Sequence, residues 1–590
     1  NYQWADERSY YIAQIRGYDY GAVAPNSDAE KQSRLAHGGI LNYSSMNNVS
    51  YTARAQLSYN LMLGNERQHI INAMAGFEAR SNQYDGLTDV EWGYFPERGM
   101  GISYEYDTST SGNSAVNGMN SSLDKHTVSR SKTKNNTISE YLTLVYAYKN
   151  RYVLNFNTRM DASNRFGQYT NHKWSPVWSI SGRWSVSDES FMQPIKWIDN
   201  MSIRASYGEQ GNVPTSVSPY LVAKYMSALV NRYSGEYQLG ISHYPYPDLK
   251  WEKTTTTNLG FDFSVLNGRI SGSLDYYIRR GKDIIFNLPV ATEYGVTTTY
   301  RNGASLKNTG IELSLSFKPI QTKDWTWTLT PIWSKNTNNI SKTSVQNYKV
   351  DDYLAGNVYL DGKPVNAVYA WEFTGLDPKT GFATFKGCSS NEDEVEKSDD
   401  PASYLKYVGP ADPRFNGGLS SSLRWKNLTL SAQFAFGFGN YKRLNFIFEG
   451  DNKMPSPQTN MTKEMLGRWK QEGDQSNIPG LNFSDSSNYM IYTPDRTASW
   501  KNTYTMYNYS DARIVKGDFF RCRNLMLSYA VPYQFLRHMG ITAVSLGFNV
   551  TNPFTLCSSR FNGQDPEVSN TGSVALPITQ SYSLSLNVSF

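Results

Sequence analysis

No stretch of the chain approaches the roughly 18 consecutive apolar residues that a membrane-crossing helix needs, and mean hydropathy is −0.55. A helical membrane protein is excluded. A β-barrel is not, because it hides its apolar band in alternation. Cysteine is scarce: Cys388, Cys522 and Cys557 among 590 residues are too few and too spread for a disulfide framework or a zinc site. Charge is thin at 18%, against roughly 25% in an ordinary soluble domain. Its signs nearly balance, with 57 Lys and Arg against 52 Asp and Glu for a net +5. The basic residues do not cluster along the chain, which argues against nucleic acid. The six His (His37, His69, His126, His172, His243, His538) show no metal-ligand spacing, and there is no nucleophile elbow or phosphate loop. Gly437-Phe438-Gly439 ends a strand and opens no helix. The acidic run at 391–400 lacks the Asp-x-Asp-x-Asp-Gly spacing of a calcium loop and reads as solvated. The expectation is of no enzyme, no metal and no cofactor.

Aromatics are abundant at 14%, with 43 Tyr, 26 Phe and 14 Trp. So many would not stay solvated in a disordered chain. Asn1 is not a Met, no signal segment follows, and Tyr2, Trp4, Tyr10, Tyr11 and Ile12 already read as strand. A mature or cleaved piece is expected. The hydrophobic period is two. Tyr582, Leu584, Leu586, Val588 and Phe590 alternate with Ser581, Ser583, Ser585, Asn587 and Ser589, so one face is apolar and the other polar. The pattern recurs at 174–186, 258–265, 311–318, 428–438 and 544–551, with Arg, Glu, Asp and Lys as well as Ser on the polar side. These runs are long for a sandwich, whose strands average about five or six residues. They suit the roughly 9–11 of a membrane-spanning strand.

Connections alternate short and long. Short ones lie near 64–66, 149–150, 267–268, 319–324, 377–381 and 426–427, with 187–200 and 532–540 intermediate. Long ones lie near 21–48, 81–135, 208–253, 282–306, 338–363, 388–413, 440–511 and 552–579, with 161–172 shorter. Asn267-Gly268 reads as a two-residue hairpin turn, and Asp377-Pro-Lys-Thr-Gly381 as a turn set by Pro and Gly. This is the layout of an outer-membrane barrel, with short periplasmic turns and long extracellular loops. The fold class is therefore all-β, a transmembrane antiparallel β-barrel. The count is about eighteen strands, an even number as such barrels need, and 381–386 is the weakest of them. Tyr59, Tyr148, Tyr152, Trp325, Trp327, Trp333, Trp425 and Tyr529 sit near strand ends, where a barrel carries its membrane-interface girdles. Strand propensity for aromatics is the plainer alternative. The long loops are rich in Tyr, Trp, Asn and Asp. Trp92, Tyr94, Phe95, Tyr104 and Tyr106 are candidates to stack on sugar rings, or on peptide, although loop packing is the commoner job of each.

Several segments resemble the SusC/RagA-type TonB-dependent outer-membrane transporters of Gram-negative bacteria. They include 69–78 (HIINAMAGFE), 159–167 (RMDASNRFG) followed by the Trp-rich 174–184, and 203–212 (IRASYGEQGN). Further matches are 247–257, 307–312 (KNTGIE) and 412–415 (DPRF). The resemblance covers essentially the whole chain in the family's order. Ending mid-strand on Phe590 is also similar to outer-membrane barrels, whose last strand closes the barrel. The resemblance implies active uptake of nutrient oligomers, glycan oligosaccharides first and oligopeptides second. It implies a SusD-like surface lipoprotein as lid, TonB acting through a plug, outer-membrane lipid around the wall, and no nucleic acid. The family's barrels have about 22 strands and a plugged lumen. The chain is therefore expected to be the C-terminal portion, with the plug-bearing N-terminal part elsewhere. A passive porin of about eighteen strands and a surface-binding barrel or adhesin remain the alternatives.

Overall fold

The computed structural model describes residues 2–5, 39–64, 66–94, 129–164, 174–212, 220–230, 237–246, 249–289, 293, 298–343, 348–395, 398, 400–448, 455, 460–481, 488–492, 498–538, 540–568 and 575–590. In chain order the strands are β1 (Tyr2–Ala5), β2 (Gly39–Leu63), β3 (His69–Tyr94), β4 (Ser129–Tyr148), β5 (Tyr152–Ser163), β6 (Trp174–Ser185) and β7 (Ile198–Asn212). Then come β8 (Val222–Val230), β9 (Tyr237–His243), β10 (Glu252–Val265), β11 (Ile270–Pro289), β12 (Thr298–Gln321) and β13 (Trp325–Lys342). Short strands follow: β14 (Ala367–Trp371), β15 (Phe373–Leu376), β16 (Ala383–Phe385) and β17 (Leu405–Pro410). The rest are β18 (Phe415–Trp425), β19 (Leu428–Phe438), β20 (Tyr441–Arg443), β21 (Asn488–Tyr492), β22 (Ala498–Asn502), β23 (Ile514–Lys516), β24 (Phe519–Ala530), β25 (Ala543–Cys557) and β26 (Ser581–Ser589).

One sheet takes sixteen of these in the order β1 to β7, β10 to β13, β18, β19, β24, β25 and β26. No described helix is long and apolar enough to cross a membrane. Two of the about eighteen expected strands are not in this sheet. The segment expected as a spanning hairpin around Asp377–Gly381 is instead β14, β15 and β16, which pair in small sheets of their own, β14 with β17 and β15 with β16. Their lengths of 5, 4 and 3 residues fall short of the roughly 9–11 a membrane crossing needs. Alternation in 367–371 looks the same in either setting. Length separates them, and removing a pair leaves the count even.

The turn after β10 also differs from expectation. Val265 pairs with Ile270, so four residues connect the strands, and Leu266, Asn267 and Gly268 all have positive φ. The carboxylate of Asp199, at the start of β7, accepts the N–H groups of Asn267 and Gly268 at 3.2 and 2.8 Å. Those bonds hold a leucine in a left-handed conformation it otherwise avoids.

Within the sheet the faces separate as the alternation requires. Leu259 is exposed on β10, opposite Ala205 of β7 and Tyr276 of β11. One residue on, the polar face carries a charge cluster. Arg204 lies 2.6 Å from Asp262 and 3.2 Å from Asp275. Gly260 sits beneath it, and a Cβ there would come within 2.8 Å of the guanidinium carbon. Glycine is what lets arginine lie flat across three strands. β26 pairs with β25 from Ala543↔Ser589 to Thr551↔Ser581, and Tyr582, Leu584, Leu586, Val588 and Phe590 are exposed.

Contacts group the chain into two units: residues 1–57, 75–141 and 160–166, and residues 58–74, 142–159 and 167–590. In the first, Tyr141 Oη accepts from Arg54 Nε at 2.6 Å and donates to Gln56 at 3.2 Å. The second contains a compact layer built by the connections β13–β18 and β19–β24. Its core includes Trp371, Phe385, Tyr404, Tyr489, Tyr504 and Tyr507.

Candidate functional site

The loop layer is where a ligand-sized site is built. Its strands are short and its aromatics are packed against each other. Trp371 lies 6.4 Å from Phe385, Phe385 meets Tyr489 edge-on at 6.3 Å, and Phe373 meets Tyr507 edge-on at 5.5 Å. Trp371 N–H donates to the Tyr509 carbonyl at 3.2 Å, which ties the first connection to the second. At Gly381, φ is +71°, and a Cβ would lie 2.1 Å from the Trp469 ring. The glycine that makes the turn also admits the indole.

Buried polar staples complete the layer. Arg443 is 7% exposed. It donates to the carbonyls of Asn508 and Tyr369 at 3.3 and 3.0 Å and lies 4.7 Å over the Tyr509 ring. Burial pushes its guanidinium down to about 10. Arg513 donates to Glu464 and to the Asn445 carbonyl, both at 2.6 Å. Burial pushes the phenols of Tyr369, Tyr489 and Tyr507 up to about 12.

Clefts open among these loops. One, about 490 Å³, is lined by Asn336, Asn338, Lys363, Tyr407, Asp412 and Arg414 among others. Lys363 Nζ sits 4.1 Å over the Tyr407 ring, and Asn366 donates to Asp412 at 2.6 Å. Amides, a carboxylate and an aromatic ring suit a ligand rich in hydroxyls or amides. A second cleft of about 310 Å³ has an apolar floor of Leu354, Trp371 and Met506, with Lys501 and Asp351 paired at 2.8 Å on its edge. A third, about 450 Å³, lies beside a charge network. There Arg521 meets Asp565 and Glu567, each at 2.5 Å, and Arg523 also pairs with Glu567. Among the described residues no His, Cys, Asp and Glu group could hold a metal ion.

The loop aromatics singled out from the sequence are not among the residues whose side chains the structure describes. Trp92 and Tyr94 fall within β3, with side chains outside the description, and Phe95, Tyr104 and Tyr106 lie outside the described residues. The residues that line the clefts were missed because they are ordinary Asn, Asp and Lys. The available signal was the short apolar runs Ala367–Trp371 and Asn488–Tyr492, which read as buried strand.

The strand-end aromatics come together more closely. Trp325 and Trp425 face each other in register and stack at 5.6 Å. Tyr148 stacks on Tyr152 at 6.4 Å, and Tyr152 on Trp184 at 6.4 Å. Trp327 donates to Ser421 at 3.1 Å, Tyr529 pairs opposite Leu428, and Tyr59 is exposed. All eight lie within a few residues of a connection at the tight-turn end, whereas Trp333 stacks on Phe415 at the long-loop end of β18, at 6.1 Å.

A family model described as TonB-dependent receptor-like, beta-barrel, matches residues 1–553. The chain belongs to that family. Among curated relatives, it is 24% identical to the TonB-dependent receptor P39 of Formosa agariphila over 613 residues, covering 95% of this chain and 54% of that protein. It is 26% identical to the TonB-dependent receptor SusC of Bacteroides thetaiotaomicron over 499 residues, covering 78% of this chain and 44% of that protein. Its fold matches the RagAB peptide transporter with a TM-score of 0.74 at 23% identity, over 94% of this chain and 56% of that one. The chain spans about half the length of the relatives it matches. The SusC/RagA resemblance read from the motifs holds, and with it the outer membrane of a Gram-negative bacterium as location. The sixteen-stranded sheet is the wall of a TonB-dependent receptor barrel, and the family is one of receptors and transporters, not enzymes.

Proposed function

We propose that this barrel is the wall and loop layer of an active importer of nutrient oligomers, with glycan oligosaccharides as the first substrate class. The observation that carries the reading is the folded layer of long connections, with clefts lined by Asn, Asp, Lys and Tyr. Loops that only joined strands would need no core of their own. In this reading the long connections near 21–48, 81–135, 208–253, 282–306, 338–363, 388–413, 440–511 and 552–579 are extracellular. A SusD-like lipoprotein covers them as a lid, and a plug-bearing N-terminal portion of the same transporter seals the lumen and answers to TonB. A wide lumen needs a seal, and opening the seal needs work from the inner membrane. Trp92, Tyr94, Phe95, Tyr104 and Tyr106 contribute stacking faces to the same ligand. Oligopeptides are the second class. Peptide amides suit the same side chains, and one fold neighbour is named as a peptide transporter.

A passive channel is the competing reading. The sheet has sixteen strands, and barrels of about 16–18 strands leave an open pore. Mass spectrometry of everything that co-purifies with the chain from detergent-extracted outer membrane separates the two. A plug-bearing portion and a lipoprotein are the expected companions. The chain alone, folded and conducting steadily in a planar bilayer, would leave the porin.

A further inference from the structure

The chain's basic residues do not cluster along the sequence, yet the fold gathers them. Seven connections at one end, taken with the strand residues that flank them (64–69, 148–152, 185–200, 265–270, 318–325, 424–428 and 530–542), hold ten Lys and Arg against five Asp and Glu. That excess equals the net +5 of the whole chain, so everything else balances.

The density peaks where three turns adjoin. Lys318 N–H donates to the Arg269 carbonyl at 2.8 Å, and Lys426 N–H to the Asp324 carbonyl at 2.7 Å. The turns β10–β11, β12–β13 and β18–β19 are therefore neighbours. With the strand ends that flank them they carry Arg269, Lys318, Lys323, Arg424 and Lys426 against one acid, Asp324. Asp199, which reaches the first turn, is occupied by backbone N–H groups. Among the described residues, none of the five cations has a carboxylate within ion-pair distance. Four are exposed and Lys318 is half-buried. Like charges this close repel unless counter-charge comes from outside.

The chemistry beside them says where that counter-charge lies. Trp325 and Trp425 stack against each other with 41% and 46% of their surface exposed. Leu266 is exposed in the β10–β11 turn and Ile320 near the end of β12. Lys426 Nζ lies 6.0 Å over the Trp425 ring. Exposed indoles sit at the boundary between hydrocarbon and headgroups, which puts the five cations level with the phosphates. We propose that these three turns bind the headgroups of anionic glycerophospholipids in the leaflet at the tight-turn end. Each cation near such a surface strengthens the attraction about fivefold.

The test uses the protein extracted from outer membrane. It is exchanged into nanodiscs of equal parts phosphatidylethanolamine and phosphatidylglycerol, partly delipidated, and its retained lipid is weighed by mass spectrometry. Phosphatidylglycerol is expected to be enriched about tenfold over bulk at low salt and to fall towards the bulk ratio at high salt. K318Q/K323Q/K426Q is expected to lose most of the enrichment, and K463Q, in the loop layer, to keep it. Retention at the bulk ratio, enrichment indifferent to salt, enrichment surviving the triple substitution, or lipid A held through the same lysines would each overturn the proposal. The salt arm needs no variant, so a triple mutant that fails to fold does not shield it.

Discussion

Leu584 of β26 is 80% exposed and Trp371 of the loop layer is 1% exposed, and both are where their surroundings want them. The wall turns its leucines, valines and aromatics outward and keeps Arg204, Asp262 and Asp275 on the other face. The loop layer does the opposite. It buries Trp371, Phe385, Tyr489 and Tyr507, keeps charges such as Asp351 and Lys379 at its surface, and pairs the charges it does bury, as a water-soluble domain does. One chain thus follows two burial rules because it meets two solvents. In hydrocarbon an outward leucine needs no cover, while backbone groups must be paired, as the ladders between neighbouring strands pair them. In water the same leucine must be covered.

The largest expected effect is at the centre of the layer. Trp371→Ala removes an indole from a dry core and is expected to cost the layer about 3–5 kcal/mol. The wall, which owes nothing to that core, is expected to keep its resistance to detergent. Limited proteolysis of 343–414 and 439–518, beside heat-modifiable mobility on a gel, reads the two separately. Simultaneous loss of both would break the division into two regions.

A matched pair of exposed leucines sharpens it. Leu259→Arg, on the apolar face of β10, is expected to cost about 2–4 kcal/mol in vesicles. Leu466→Arg, 75% exposed in the loop layer, is expected to stay within about 0.5 kcal/mol. Equilibrium unfolding in urea from lipid vesicles measures both.

The smallest effect concerns the loop that returns to the wall. Burial opposes ionisation of Asp565, but Arg521 and the N–H groups of Glu567 and Ile578 outweigh it and hold the carboxyl below the usual carboxylate range. A depressed folded value means the contribution is complete above the ordinary value of about 4. It is lost as pH falls through the lower folded one. Protease cutting within 558–568 is expected to rise in acid below about pH 4. Asp565→Asn, costing about 1.5–3 kcal/mol, is expected to open the loop already at neutral pH and to remove that acid step.

The wall was legible in the sequence because its signal is local. Tyr582, Leu584, Leu586 and Val588 announce a two-faced strand without help from elsewhere. The loop layer was not, because its core joins Trp371 and Phe385 to Tyr489 and Tyr507, more than a hundred positions further along, a meeting no window reveals. Worse, Ala367, Tyr369 and Trp371 alternate with the period of the wall, and only the five-residue length of β14 shows that they belong to the layer. The strand-end aromatics were readable as such, but their gathering at the tight-turn end needed the pairing of Trp325 with Trp425. The basic turns were invisible for the same reason: only the sheet places the turns of Arg269 and Lys426 on either side of the β12–β13 turn.

The most direct measurement places a nitroxide, one at a time, at Leu144, Leu259, Leu546 and Leu584 of the wall and at Leu466 of the loop layer, with the native cysteines replaced by serine. Relaxation by oxygen, which partitions into lipid, is compared with relaxation by a water-soluble nickel complex. The four wall sites are expected to respond to oxygen and not to nickel, and Leu466 to nickel. Nickel relaxation at the wall sites as strong as at Leu466 would mean that water, not lipid, covers the apolar face, and would contradict the two-solvent reading.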